Sequence, residues 1–261
     1  MIVFFIKKAF YDGWDNLLSI LVMNIALIAI VFGAWLLAAA TASFMPLSIG
    51  IIIIAFALFG MILLTISQVM AKAANYQSFA FSDLREAFID SWRHGALFGL
   101  FIAGLVFIFS IPIPYYFSLA NILGFSLAIT IFWVGLICLL SLQWFCAIRS
   151  QLDKNFLKSI KKSFIIFFDN AGFSVFMLVY SLVLMAFSVV LVFLIPGIAG
   201  LLLAQNNALK LRLYKYNWIK EHKGLDAKQV RKQIPWGELI AHDKDIVGHR
   251  SFKSFIFPWK E

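Results

Sequence analysis

Polar positions in this chain fall in clusters, separated by long stretches that are apolar throughout. No Asp, Glu, Lys or Arg occurs in 16–71, 94–148 or 170–209, runs of 56, 55 and 40 residues. A helix crosses the hydrocarbon core with about 20 apolar residues, so each run is long enough for two crossings and too long for one. The pattern predicts an all-α membrane bundle of six spans in three hairpins, near 17–40, 47–71, 95–110, 121–148, 171–195 and 198–218. The last is the weakest, because Gln205, Asn206 and Asn207 interrupt it. A re-entrant segment that leaves the tail outside is the alternative there.

Between the apolar runs the period changes. Residues 1–16 set Phe4, Phe5, Phe10 and Trp14 among Lys7, Lys8 and Asp12 at helical spacing. After Ser82-Asp83, which fits a helix start with Ser as cap, Leu84, Phe88 and Trp92 recur every four residues. Residues 151–170 set Phe156, Leu157, Ile160 and Phe164 against Lys154, Lys158, Lys161 and Lys162. Each stretch predicts an amphipathic helix lying in the membrane interface. Pro112 and Pro114 end the third span, and Pro196-Gly197 breaks the fifth.

The amphipathic stretches also resemble one another. Ala9-Phe10-Tyr11-Asp12-Gly13-Trp14-Asp15-Asn16, Ala87-Phe88-Ile89-Asp90-Ser91-Trp92-Arg93-His94 and Ser163-Phe164-Ile165-Ile166-Phe167-Phe168-Asp169-Asn170 share a small residue, Phe, an apolar residue, then an aromatic, a charge and Asn or His. Each precedes a charge-free hairpin, and Gln68, Gln143 or Gln205 stands before the next basic residue. The chain reads as a threefold internal repeat, with units starting near 5, 83 and 159, in a membrane domain over 1–220.

Composition agrees with the pattern: 62% of the 261 residues are hydrophobic and 13% charged. That excludes a disordered chain, a soluble α/β enzyme and a disulfide scaffold. All 22 basic and 13 acidic residues fall in four segments that lie on one side of a six-span bundle. The positive-inside rule makes that side cytoplasmic, with both termini there. The net charge of +9 follows from this sorting and suits an anionic leaflet, not nucleic acid.

Candidate chemistry is sparse. The apolar runs carry none of the charges that ion-coupled carriers use. The histidines do not cluster, and no zinc, P-loop or nucleophile-elbow spacing occurs. No cofactor, metal site or catalytic residue is expected. Cys138 and Cys146, eight residues apart in one helix, stand too far apart to bridge. Gln68, Gln143, Gln205, Asn206 and Asn207 are the candidates for a polar vestibule at the inner ends of the spans. Asn24 is a candidate for interhelical hydrogen bonding, and Gly33, Gly104, Gly135 and Gly172 for close helix approach. The tail over 221–261 carries Pro235-Trp236 and Pro258-Trp259 among apolar residues. It predicts docking through Trp236 and Trp259, on the bundle's own face or on a partner.

Asn16-Leu17-Leu18 with Asn24, the run Phe81-Ser82-Asp83-Leu84-Arg85-Glu86-Ala87-Phe88 with Trp92, and the break Leu194-Ile195-Pro196-Gly197 before a basic helix resemble the YesL-like family of bacterial integral membrane proteins. The resemblance spans roughly residues 5–220 and lies in layout and weak motif. The proline-rich turn associated with the end of the first span is not evident, and the tail extends beyond the family core. The resemblance implies a bacterial membrane protein linked with carbohydrate uptake, and carries over no catalytic residue. The expected partners are the lipid bilayer and either transporter subunits or further copies of the chain. The expected role is a non-enzymatic accessory or regulator of transport, with a small-solute or lipid permease as the alternative.

Overall fold

The computed structural model describes residues 1–222 and 234–247, and every regular element among them is a helix. The first, α1 (Ile2–Asp15), is the amphipathic stretch expected at the start. Asn16 separates it from α2 (Leu17–Ala40), its side-chain nitrogen donating to the Asp12 carbonyl at 2.8 Å. Such local bonds compete with helix continuation. Helix α3 (Met45–Ala74) takes Pro46 in its first turn, where a missing N–H leaves no bond unmade.

Helix α4 runs unbroken over Phe81–Ser110. The sequence predicts an interfacial helix and a separate span from 95; the two are one helix. Nor is Ser82 the cap. The helix starts after Ala80, whose N–H donates to the Asp83 carboxylate at 2.8 Å. Next come α5 (Pro112–Ser118) and α6 (Ile122–Leu142), the latter capped by Asn121 Oδ1 accepting from the Gly124 N–H. Residues 143–144 then offset α7 (Phe145–Gln151) from α6, so the expected span over 121–148 is two helices. Helix α8 (Phe156–Asp169) is capped by Asn155 and ends at Asn170, from which α9 (Ala171–Val190) starts. The fifth span is thus shorter than expected, and its turn runs to Pro196.

Among the described residues, five helical stretches are long and apolar enough to cross a bilayer: Leu17–Ala40, Met45–Ala74, Ser82–Ser118, Ile122–Gln151 and Ala171–Val190. Only 17–28% of each one's most apolar window is buried inside the protein. The large apolar side chains that remain face outward, an arrangement that is stable in lipid and not in water. The chain is a multi-pass, all-helical membrane protein.

Helix α10 (Gly197–Glu221) differs from those five. It packs against α1, α2, α3, α7 and α9, and its buried residues include Asn206, Asn207, Lys210, Arg212 and Lys215. Its upper end meets α2 partway along. Asn24 Nδ2 donates to the Leu194 and Pro196 carbonyls at 2.9 and 2.8 Å, and Asn24 Oδ1 accepts from the Ala199 N–H at 2.9 Å. Asn24 is the eighth residue of α2, about 10 Å from its start. The turn before α10 therefore rests on the lower part of α2, and α10 returns toward α1. Two short helices, α11 (Trp236–Leu239) and α12 (Ala241–Val247), pack on the same end.

Close approach of α3 and α4 rests on glycines the sequence reading passed over. A Cβ at Gly99 would meet the Phe56 carbonyl, and one at Gly60 would meet the Gly95 carbonyl and the Gly99 backbone. A Cβ at Gly33, Gly104 or Gly172 would meet nothing within 4 Å, and Gly135 faces the Phe109 ring. The pair Gly95 and Gly99 has the four-residue spacing that lets helices pack backbone to backbone.

Candidate functional site at the charged end of the bundle

Charged side chains gather where α1, the end of α3 and the second half of α10 meet. Lys8, Asp12 and Asp243 are buried, and the Lys210 side chain is 11% exposed. Lys8 pairs with Asp12 at 2.7 Å, one helical turn away, and Lys210 with Asp243 at 3.0 Å. Both ammonium groups also donate to the Ala74 carbonyl, at 3.2 and 3.0 Å. That carbonyl ends α3, where the helix dipole favours cations. The Tyr76 ring lies between the two lysines, 3.8 Å from Lys8 Nζ and 4.3 Å from Lys210 Nζ. Each cation thus has a carboxylate, a carbonyl and a π face in place of water. Asn207 is buried beside the Asp12 carboxylate.

Burial dominates the electrostatics here. It pushes the Asp12 carboxyl up and the Lys8 ammonium down, while their pairing pulls the other way. Burial, then the carboxylates of Asp12 and Asp243, pushes the Tyr76 phenol up. Removing one member of such a buried pair strands its partner and costs several kcal/mol, on the order of 3–5.

A second group lines a cavity of about 500 Å³ beside this node, between α3, α4 and α7. Gln68, Lys72, Asp90, Arg149 and Lys154 are among its lining residues. The Asp90 carboxylate is its hub. It accepts from Gln68 Nε2 at 3.1 Å, from Lys154 Nζ at 3.0 Å and from Arg149 Nη2 at 3.3 Å. Arg149 is 3% exposed, and its Nε donates to His94 Nδ1 at 3.0 Å. That bond assigns the His94 proton to Nε2. A third group joins Lys215 to Asp169 at 2.9 Å and to Asn170 at 2.8 Å, with the Tyr216 hydroxyl donating to Asp169 at 2.8 Å.

The three similar stretches therefore each carry an aspartate into an ion pair at this end. Asp90 pairs with Arg149 on α7, and Asp169 with Lys215 on α10. Asp12 reaches the end of α3 through Lys8.

The expected vestibule residues do not share one space. Gln68 lines the cavity. Gln143 donates to the Leu140 and Ser174 carbonyls at 2.8 and 2.9 Å, tying α6 to α9. Gln205 is buried on α10. Asn206 donates to Ser67 Oγ at 3.1 Å and accepts from Gln151 Nε2 at 2.8 Å, tying α10 to α3 and α7. Trp236 docks on the chain itself: the Arg212 guanidinium lies 5.8 Å from its ring and 3.8 Å from that of Phe173. Trp259 lies outside the described residues.

The sequence reading passed over Lys8, Asp12, Lys210 and Asp243. A signal was present for Lys210. Around it Leu209, Leu211 and Leu213 leave α10 without a wholly polar face, so charges at 210, 212 and 215 cannot all reach water. Asp243, 33 residues beyond Lys210, carries no such local sign.

No protein-family model, no curated protein and no solved structure matches this chain.

Proposed function

We propose that the chain is a non-enzymatic protein of the bacterial inner membrane that assists or regulates a transport system, of the carbohydrate type associated with the YesL-like proteins it resembles. In this reading the charged end is cytoplasmic, α9 and α10 form the third hairpin, and α10 serves as the sixth span.

One observation carries the role. Two cavities between the helices, one of them bordered by α1, are lined almost wholly by apolar side chains. One, of about 460 Å³, lies among Trp14, Ile20, Leu184, Phe187 and Gly200. Another, of about 420 Å³, lies among Leu27, Val31, Trp35, Met185 and Ile198. A path for a polar solute needs polar groups along it, because each unsatisfied polar group in an apolar medium costs several kcal/mol. Polar groups are instead concentrated at one end, where a soluble domain can reach them. The scatter of Gln68, Gln143 and Gln205 weakens the permease reading in the same way.

Two experiments test this. A reporter fused after Glu261 should read cytoplasmic, and a periplasmic signal overturns the arrangement. Extraction into lipid particles followed by mass spectrometry should recover a transporter subunit or ATPase in stoichiometric amount. Recovery of the chain alone, carrying a bound solute, overturns the accessory role.

A further inference from the structure

The cavity beside α3, α4 and α7 has a composition that the accessory role does not require. Its lining side chains include three cations, Lys72, Arg149 and Lys154, and one carboxylate, Asp90. Its volume, about 500 Å³, is in the range of small-ligand sites. The cations differ in how they are held. Arg149 is fixed: His94, the Asp90 carboxylate and the Asp90 carbonyl orient its guanidinium. Of its five N–H groups, Nη1 contributes a single bond, a long one of 3.4 Å to Asp90. Lys72, on α3, and Lys154, just after α7, have side chains 41% and 79% exposed. Both can swing across the opening from their present partners, Asp83 and Asp90, since exposed pairs hold by less than about 1 kcal/mol. Two of the cations also sit in the last turns of α3 and α7, where they offset the helix dipoles. Lys154 has no such role, and its charge is surplus to both helix ends.

We infer that this cavity is a binding site for a small phosphate-bearing anion, held between the mobile Lys72 and Lys154 and the fixed guanidinium of Arg149, with the Gln68 amide at its rim. A phosphate brings several acceptor oxygens to a site rich in donors, and arginine matches that geometry. The phosphate belongs either to a soluble ester or to an anionic lipid headgroup; basic pockets between membrane helices bind the latter.

The test uses the full chain in phosphatidylcholine nanodiscs, with glycerol 3-phosphate as the soluble probe and phosphatidylglycerol as the lipid one. Calorimetric titration with the soluble probe is compared at constant ionic strength across wild type, K72Q/K154Q and K158Q/K161Q. Both variants change exposed lysines, and Arg149 stays in place to support the fold. Native mass spectrometry then scores retained phosphatidylglycerol. Saturable binding that K72Q/K154Q weakens at least about tenfold, the loss expected for a charge-assisted hydrogen bond, supports the site. The control variant should bind as wild type. A result confined to glycerol 3-phosphate assigns the phosphate to a solute, and one confined to phosphatidylglycerol assigns it to the leaflet. Absence of saturable binding by either probe, or equal loss in both variants, overturns the inference. Neither result depends on which partner the protein serves, so the site and the accessory role fail separately.

Discussion

Asn24 is the one amide in the apolar helix α2, and it makes three hydrogen bonds to the turn that begins α10. Replacing it with Ala leaves the Leu194 carbonyl and the Ala199 N–H without this partner in an apolar setting, while the Pro196 carbonyl keeps the Gly200 N–H. Interhelical hydrogen bonds of this kind are worth about 0.6–2 kcal/mol each. Asn24→Ala should lower stability by about 2 kcal/mol, as read from unfolding in mild detergent, and an unchanged midpoint would mean that the turn is held by packing alone. Gly99 acts through what it lacks. Gly99→Ala places a methyl against the Phe56 carbonyl, and overpacking of this sort costs about 1–3 kcal/mol. Gly33→Ala, with open space around it, should be silent in the same assay. Asn24 was legible because an amide in an apolar run needs a partner. The right glycines were equally visible in their four-residue spacing, but identity without spacing misdirects.

At the scale of elements, the informative case is α10 and the short helices docked beside it. Asp243 reaches back to Lys210 across the join between α10 and α12. Asp243→Asn removes the countercharge of Lys210, leaving the buried ammonium with neutral partners, and should destabilise the fold by about 3 kcal/mol. The same substitution combined with Lys210→Met should recover much of that loss, and failure to recover it would place the effect elsewhere. Helix α8 offers a pH-dependent counterpart. The Lys162 ammonium and the Asn155 N–H beside Asp153 hold its carboxyl below the usual carboxylate range. Stability from a depressed pKa is present above the ordinary value and is lost as pH falls through the depressed one. Hydrogen exchange at the start of α8 should therefore accelerate below about pH 4. Asp153→Asn should remove that dependence, and a persistent one would point to another carboxylate. Periodicity made α1 and α8 legible. It divided into two what the structure holds as the single helix α4, because a change of face from interface to lipid alters the pattern without breaking the backbone.

Across the whole molecule, charge-free length located the apolar helices, while depth was not encoded there. The reading gives the last run two spans like the others, whereas the turn before α10 meets α2 near Asn24. What sets its height is a hydrogen bond across 170 residues, which no local pattern announces. The candidate site was divided in the same way. Gln68 lay in view as a polar residue at a span end, but its companions Asp90 and Arg149 come from charged segments that read as belonging to the membrane interface, not to the vestibule. If the lysines of α8 orient the protein, Lys158, Lys161 and Lys162 changed together to Gln should shift the reporter at Glu261 toward mixed topology. An unaltered signal would leave the tail as the determinant.

The node around Tyr76 joins residue 8 to residue 243, nearly the full length of the chain. Synthesis delivers these two contributions at opposite ends of its time course. Through most of translation Lys8 and Asp12 have each other but neither α10 nor α12 to shield them, and they stay hydrated at the membrane surface. The bundle thus carries its own assembly mark: the charges leave water only when α10 and α12 arrive, so a chain stopped before them displays at its first helix the ions that the assembled bundle conceals.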